Sequence, residues 1–352
     1  MDFLSIKDLD TLDIEHSDNF GIVLCGGGAA GRFQAGVLLA LAQRRILERA
    51  KVLIGTSVGG LNAALFAMYG DAGDPSVLDD NGVPVPPLYT EAYNVWNNIT
   101  KNSDIYNGDI NSIIGKVGAG LGFVFGADSI LDPQPLYNRL DGIFGQLTMG
   151  EISDLFGTEL ILSSQDLNAN EEEFYCSFNE KTKKMKVTTA LRATAGIPGI
   201  FKSVPFQDAG DKVEHWHVDG GTGANNPFLA IEKYNEAFPE AKLNKILIIY
   251  CYPDVHVEDT KVYRCFRDVL LRVVGAMLNT QEQMTETTVK LVVSESKMNV
   301  MALWPKNQTC DALDFTKTSL LEDGYRYGMD AIGYNYRTKT EMSISDFLAV
   351  KS

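Results

Sequence analysis

The sequence predicts an α/β protein, and three observations carry that expectation. Gly21-Ile22-Val23-Leu24-Cys25 is a short apolar run suited to a buried strand. A glycine-rich turn follows it, and then a helix from about Arg32 to Leu47 with Phe33, Val37, Leu38 and Leu41 as apolar positions. Lys51-Val52-Leu53-Ile54 repeats the pattern, passing through Gly55-Thr56-Ser57-Val58-Gly59 into a second helix that ends near Tyr69. The length of 352 residues and an apolar fraction of 45% allow one large α/β domain or two smaller ones.

The two turns carry the chemistry. G-x-S-x-G between a strand and a helix is the pattern of a nucleophile elbow, in which the residues flanking the serine must lack bulk because the turn is sharp and strained. Its serine would stand at a helix N-terminus, whose free N–H groups and positive dipole end suit an oxyanion. The competing reading is a tight turn in which Ser57 only caps the helix. The first turn, Gly26-Gly27-Gly28-Ala29-Ala30-Gly31, also fits the dinucleotide fingerprint. That fingerprint needs an acid at the end of the second strand, and this strand ends in Ile54-Gly55-Thr56-Ser57. The better reading is an anion cradle whose N–H groups face a developing oxyanion.

Further along, residues 70–87 form a Gly/Asp/Pro-rich loop and 89–98 look helical. The glycine-spaced apolar run 105–127 reads as an irregular core wall or as a lid over the site, and a short helix begins at Leu131–Leu136 with prolines in its first turn. A strand is expected over Glu159–Gln165, and a hairpin from Phe174–Phe178 and Met185–Thr189 around a charged turn. Ala193–Phe201 is a small-residue run into a turn. His217-Val218-Asp219-Gly220-Gly221 leaves a strand at a glycine pair, and Asn226 and Pro227 are read as the cap and first residue of a helix. Taken alone, Asp219 is an ordinary turn aspartate. Lys245–Cys251 reads as a strand, Arg264–Leu278 as an amphipathic helix with Arg264, Arg267 and Arg272 near one face, and Leu313–Asn335 as a closing helix.

Composition excludes several classes. A net charge of −15 opposes nucleic acid as a partner and opposes broad docking on anionic lipid. Five cysteines without a C-x-x-C pair read as reduced thiols. No signal-peptide core and no bilayer-length apolar run is visible, so the reading is a soluble, cytoplasmic protein, with specialised export left open. The four histidines show no metal-ligand spacing; His215 and His217 share a strand face, with no acidic partner evident.

Four stretches, taken together and in order, resemble the patatin-like phospholipase family: the Gly26-Gly27-Gly28-x-x-Gly31 loop, the Gly55-x-Ser57-x-Gly59 elbow, the Ala193–Phe201 turn and Asp219-Gly220-Gly221. Asn225-Asn226-Pro227 also resembles the segment after the last motif there. The resemblance implies a three-layer αβα sandwich with a mostly parallel central sheet. It implies a single catalytic domain over 21–340, with an N-terminal extension (1–20), a loop or lid insertion (70–130) and a C-terminal tail (341–352). It implies acyl-ester hydrolysis of a phospholipid or lysophospholipid without metal or cofactor. Ser57 would be the nucleophile and Asp219 the base, and the N–H groups of Gly26, Gly27, Gly28 and Val58 would form the oxyanion hole. A transient peripheral membrane contact and an activating protein partner fit this reading. One departure stands out: many members carry Arg just before the last loop glycine, where this chain has Ala30, with Arg32 two positions later. Two other readings remain. One is an α/β-hydrolase with a Ser-Asp-His triad, drawing on His256, His215 or His217; the single strand before the elbow strand opposes it. The other is an idle lipid-binding or scaffold protein of the same fold, which the intact Ser57 and Asp219 oppose.

Overall fold

Strand β1 (Phe20–Leu24) leads through the glycine loop to α1 (Gly31–Gln43), and β2 (Ala50–Thr56) leads through Ser57 to α2 (Val58–Tyr69). The computed structural model describes residues 19–69, 87–108, 129–207, 213–254, 285–307 and 310–349. The remaining helices there are α3 (Pro87–Asn97), α4 (Gln134–Phe144), α5 (Met149–Phe156), α6 (Val187–Thr194), α7 (Ile231–Ala237), a helical stretch over 285–295, α8 (Leu320–Met329) and α9 (Ile344–Ala349). The remaining strands are β3 (Glu159–Asp166), β4 (Glu171–Cys176), β5 (Val204–Phe206), β6 (His215–Asp219), β7 (Lys245–Ile249), β8 (Asn299–Leu303), β9 (Ile332–Asn335) and β10 (Thr340–Ser343).

One sheet runs in the order β10-β9-β8-β7-β1-β2-β3-β6-β5, with β4 paired to β3. Its centre, β8-β7-β1-β2-β3, is parallel, and antiparallel strands finish both margins. The central strands are apolar on both faces because helices cover both. Leu24, Leu53 and Leu247 pack into the core shared with α1 and α2, while Val23, Ile54 and Ile248 pack into a second core with Ile231, Tyr234 and Val289. This is the expected mostly parallel sheet between helical layers.

The margin at β3 positions the site. Residues 161–163 of β3 pair with both β2 and β4, and residues 164–166 pair with both β4 and β6. Strand β6 therefore lies on the same edge of β3 as β2, directly beyond its end. Thr56 pairs with Ser163, and Asp219 pairs with the next residue, Ser164. The parallel β2 and antiparallel β6 thus meet with their C-terminal ends, which brings Ser57 and Asp219 together from 162 positions apart in the chain.

Several local expectations change. Met185–Thr189 is no strand: the hairpin partner of β4 is β3, and α6 begins at Val187. The β-branched Val187 and Thr188 fit because Val187, Ala190, Leu191 and Thr194 recur at helical spacing and are all buried. Asn226 does not cap a helix; its side chain donates to the Tyr250 hydroxyl (2.8 Å), and a short 3-10 turn precedes α7. The closing helix is only α8, and Ile332–Asn335 is strand β9. The tail contributes β10 and α9, with Ile344, Phe347 and Leu348 buried. Arg264–Leu278, the N-terminal residues 1–18, nearly all of the 70–87 loop and most of 105–127 lie outside the described residues.

Candidate active site

Ser57 has φ = +55°, a left-handed conformation that a non-glycine residue holds only when its surroundings enforce it. The surroundings do so by close approach. A Cβ on Gly55 would lie 2.3 Å from the Gly59 carbonyl oxygen, and one on Gly59 would lie 2.2 Å from that of Leu24. Two glycines are therefore needed where β2, β1 and α2 converge. The Ser57 N–H donates to the Thr194 hydroxyl (2.8 Å) at the end of α6, and the Ser57 carbonyl accepts from Leu61. Thr194 is fully buried, and nothing in its small-residue motif marks it by sequence.

Asp219 is held as tightly. Its N–H donates to the Gly196 carbonyl (2.9 Å), so the Ala193–Phe201 turn fixes both groups, Thr194 holding the serine and Gly196 the aspartate. The Asp219 Oδ1 accepts from the Gly221 N–H (2.8 Å), while the buried Oδ2 has no hydrogen bond of normal geometry. Burial pushes the carboxyl pKa up to about 7, against the smaller opposing effects of the Ser57 hydroxyl and the Gly221 N–H. A group half-ionised near neutrality is suited to taking and returning a proton.

The glycine loop presents fewer donors than expected. The Gly26 N–H donates to the Asn225 carbonyl (3.0 Å), so it cannot also serve an oxyanion. The Gly26 carbonyl accepts from the Asn225 side chain (3.4 Å), and the Gly27 carbonyl from the Tyr252 hydroxyl (2.9 Å). In a trans peptide the N–H points opposite to the carbonyl. Asn225 and Tyr252 thereby turn the N–H groups of Gly27 and Gly28 the other way, where no acceptor meets them among the described residues. Gly28 sits at φ = +55°, and a Cβ there would lie 2.1 Å from the Ala312 carbonyl oxygen, so only glycine fits. Val58 is the first residue of α2, and its N–H has no partner within the helix. Gly31 lets α1 approach Val58, whose side chain would lie 2.2 Å from a Cβ there. Gly220 is packed against Ser163 in the same way.

Arg32 does not replace the missing loop arginine. It is buried and donates to the carbonyls of Trp96 and Ile99, with its guanidinium 5.8 Å from the Trp96 ring centre. It anchors α3 instead. Asn62 continues that anchorage, donating to Gly31 and Gln34 and accepting from Trp96 Nε1, each at 2.8–2.9 Å.

Ser57 opens into a cavity of about 780 Å³, its mouth included. Its walls come from α2 (Leu61, Leu65), from α4 (Leu136, Leu140) and from Leu313 and Phe315 of the segment before α8. The one charged side chain in the lining among the described residues, Arg139, is engaged by the carbonyls of Asp104 and Asn98 and by the Asp104 carboxylate at 3.7 Å. The site thus sets a serine beside a buried carboxyl group, with N–H groups that meet no acceptor among the described residues at the neck of an apolar chamber. Of the histidines, His256 lies outside the described residues. His215 and His217 face acids that the sequence does not reveal: His215 Nδ1 lies 2.6 Å from Asp166, and His217 Nε2 lies 2.8 Å from Glu173.

A sequence model described as "Patatin-like phospholipase" matches residues 22–231. The chain belongs to the patatin-like phospholipase family. Among curated relatives, the chain is 24% identical over 248 residues to triacylglycerol lipase 5 of Saccharomyces cerevisiae, covering 67% of this chain and 30% of that protein. It is 23% identical over 243 residues to triacylglycerol lipase 4 of the same yeast, covering 67% and 24%. The chain therefore spans about a quarter to a third of the length of these relatives. Among solved structures, VipD from Legionella pneumophila is similar with a TM-score of 0.37 and 13% identity, covering 89% of this chain and 66% of that one. The human GIVD cytosolic phospholipase A2 has a TM-score of 0.37 and 11% identity, covering 67% and 46%. The family match begins within β1 and ends at the start of α7, so it contains every patatin-like motif described above. Tyr252 and the cavity wall at Leu313 and Phe315 lie beyond it.

Proposed function

We propose that this patatin-like chain hydrolyses acyl esters of lipids through a Ser57–Asp219 dyad. The observation that carries this reading is the meeting of β2 and β6 on one edge of β3, which sets a strained serine beside a buried carboxyl whose pKa is near 7. In the first step the Ser57 hydroxyl attacks the ester carbonyl and its proton passes to Asp219. The tetrahedral oxyanion is held by the N–H groups of Gly27, Gly28 and Val58; each such donor is worth roughly 3 kcal/mol in the transition state. Collapse breaks the ester C–O bond, and Asp219 returns the proton to the leaving alcohol. Water then attacks the acyl-Ser57 with Asp219 again as base, releasing a fatty acid. The apolar chamber takes the acyl chain. Phospholipids and lysophospholipids are the substrates the family name suggests, and the yeast relatives add triacylglycerols.

The test is ester turnover in Ser57→Ala, Asp219→Asn, their combination, and His→Ala at positions 16, 215, 217 and 256. Each dyad variant should lose several orders of magnitude, and the double variant little more, because groups acting as a unit are not additive. The histidine variants should stay within about tenfold of wild type, roughly 1.4 kcal/mol. A collapse at one histidine in a folded variant would replace the dyad with a triad.

A further inference from the structure

A second cluster of reactive side chains lies next to the candidate site on the same strand. His217 and Asp166 are directly paired between β6 and β3, and Glu173 comes from the adjoining strand β4, opposite Ser164. Ligand atoms of Asp166, Glu173 and His217 all lie within 4.8 Å of one another. His217 Nε2 is 2.8 Å from Glu173 Oε2 and 4.0 Å from Asp166 Oδ2, and His215 Nδ1 reaches that same Asp166 oxygen at 2.6 Å.

Two of these groups are oriented from outside the cluster. Asp166 Oδ1 accepts from the N–H groups of Asn168 (2.7 Å) and Ala169 (3.0 Å) in the β3–β4 turn, which leaves Oδ2 directed at the histidines. The fully buried His217 ring stacks on Phe206, with centres 3.9 Å apart and planes at 11°, and meets the edge of Tyr175. Two carboxylates and two imidazoles, with Asp166 and His217 held from outside, resemble a metal centre, where outer contacts fix the ligands before the ion arrives; the second ring nitrogen of His217, Nδ1, has no hydrogen-bond partner among the described residues. A mixed nitrogen and oxygen set of three or four side chains matches zinc among common divalent ions; calcium and magnesium would require more oxygens. To reach the roughly 3.3 Å between ligands of a tetrahedral ion at about 2.0–2.1 Å, the 2.6 and 2.8 Å contacts must open and the 4.0 Å contact must close, each by about 0.5–0.7 Å.

We propose that Asp166, Glu173 and His217, with His215 at a fourth position, bind a divalent zinc-type ion that clips β6 onto the β3–β4 hairpin. The ion takes no part in ester chemistry. Its effect is on position: Asp219 lies two residues beyond His217 on β6 and is the end of the strand that the clip would hold.

The experiment titrates zinc chloride into the metal-free full chain by calorimetry, with cobalt(II) absorption as a second readout. The expected result is one saturable site and a cobalt spectrum of tetrahedral intensity. Thermal unfolding should rise by roughly 4 °C when zinc is present at a hundred times its dissociation constant. Glu173→Gln and Asp166→Asn, which keep shape and avoid emptying a buried position, should each weaken binding by at least about tenfold. Absence of saturable binding to the wild-type chain would overturn the proposal, leaving the cluster as a buried ion-pair network. Binding of equal strength in wild type and in both variants would overturn it too, because the ion would then sit elsewhere.

Discussion

Asp219 sets two opposing pH dependences. Its carboxyl pKa is raised by burial from 3.8 to about 7, so the folded chain binds a proton that the unfolded chain releases in between. This contribution to stability is full below about pH 4, declines as pH rises from 4 to 7, and is absent above; at most it amounts to roughly 4 kcal/mol. With Asp219 as the proposed base, turnover should rise with pH, reaching half its maximum near 7. Asp219→Asn should therefore abolish turnover and raise the melting temperature, more at pH 8 than at pH 5. Calorimetric scans at the two pH values check this, and a variant that melts lower at pH 8 would contradict the buried-charge account. Thr194 acts at the same scale. Thr194→Val removes the acceptor of the Ser57 N–H while keeping volume, and a buried unpaired donor costs about 1–3 kcal/mol. The expected outcome is a lower kcat with KM little changed, and near-wild-type behaviour in Thr194→Ser.

At the scale of elements, the glycines divide sharply by what surrounds them. Gly55→Ala and Gly59→Ala place a methyl group against backbone at 2.2–2.3 Å where three elements converge, and each should destabilise by roughly 3 kcal/mol or more. Gly142, exposed within α4 with nothing within 4 Å of a Cβ, is the control: Gly142→Ala should stabilise by about 0.5–1 kcal/mol. Denaturant midpoints of the three variants check the contrast. The same division explains what is legible in the sequence. Gly55, Ser57, Gly59 and the Gly26–Gly31 loop answer a local steric need, so they stand at fixed spacing in a strand–turn–helix and can be read there. The partners of Ser57 and Gly26, namely Thr194 and Asn225, reach across 137 and 199 positions with no spacing rule to mark them. Asp166 and Glu173 are hidden for the same reason: they meet His215 and His217 only because β6 turns back along β3. Met185–Thr189 departs from the expected strand because burial at helical spacing outweighs β-branched composition there.

At the scale of the whole molecule, a net charge of −15 governs approach to lipid. Sedimentation with vesicles of purely anionic lipid should be weak, since a surface potential that attracts basic segments repels this chain. Tight, salt-sensitive sedimentation would mean that a local cationic face outweighs the total. No helix among the described residues is long and apolar enough to cross a membrane. Turnover should survive excess chelator at 25 °C, because the ester chemistry proposed here runs on Ser57, Asp219 and backbone N–H groups. Loss of activity restored by calcium or zinc would refute that chemistry. The arrangement as a whole, a doubly covered, mostly parallel sheet whose β2 and β6 meet end to end, supports one proposal above the others: Ser57 is a nucleophile activated by Asp219. Labelling with a fluorophosphonate, followed by peptide mass mapping, tests it most directly. Expected are a single adduct on Ser57, no adduct in Ser57→Ala, and labelling of folded Asp219→Asn slowed by several orders of magnitude. An adduct on another residue, or labelling of Asp219→Asn at the wild-type rate, would contradict it.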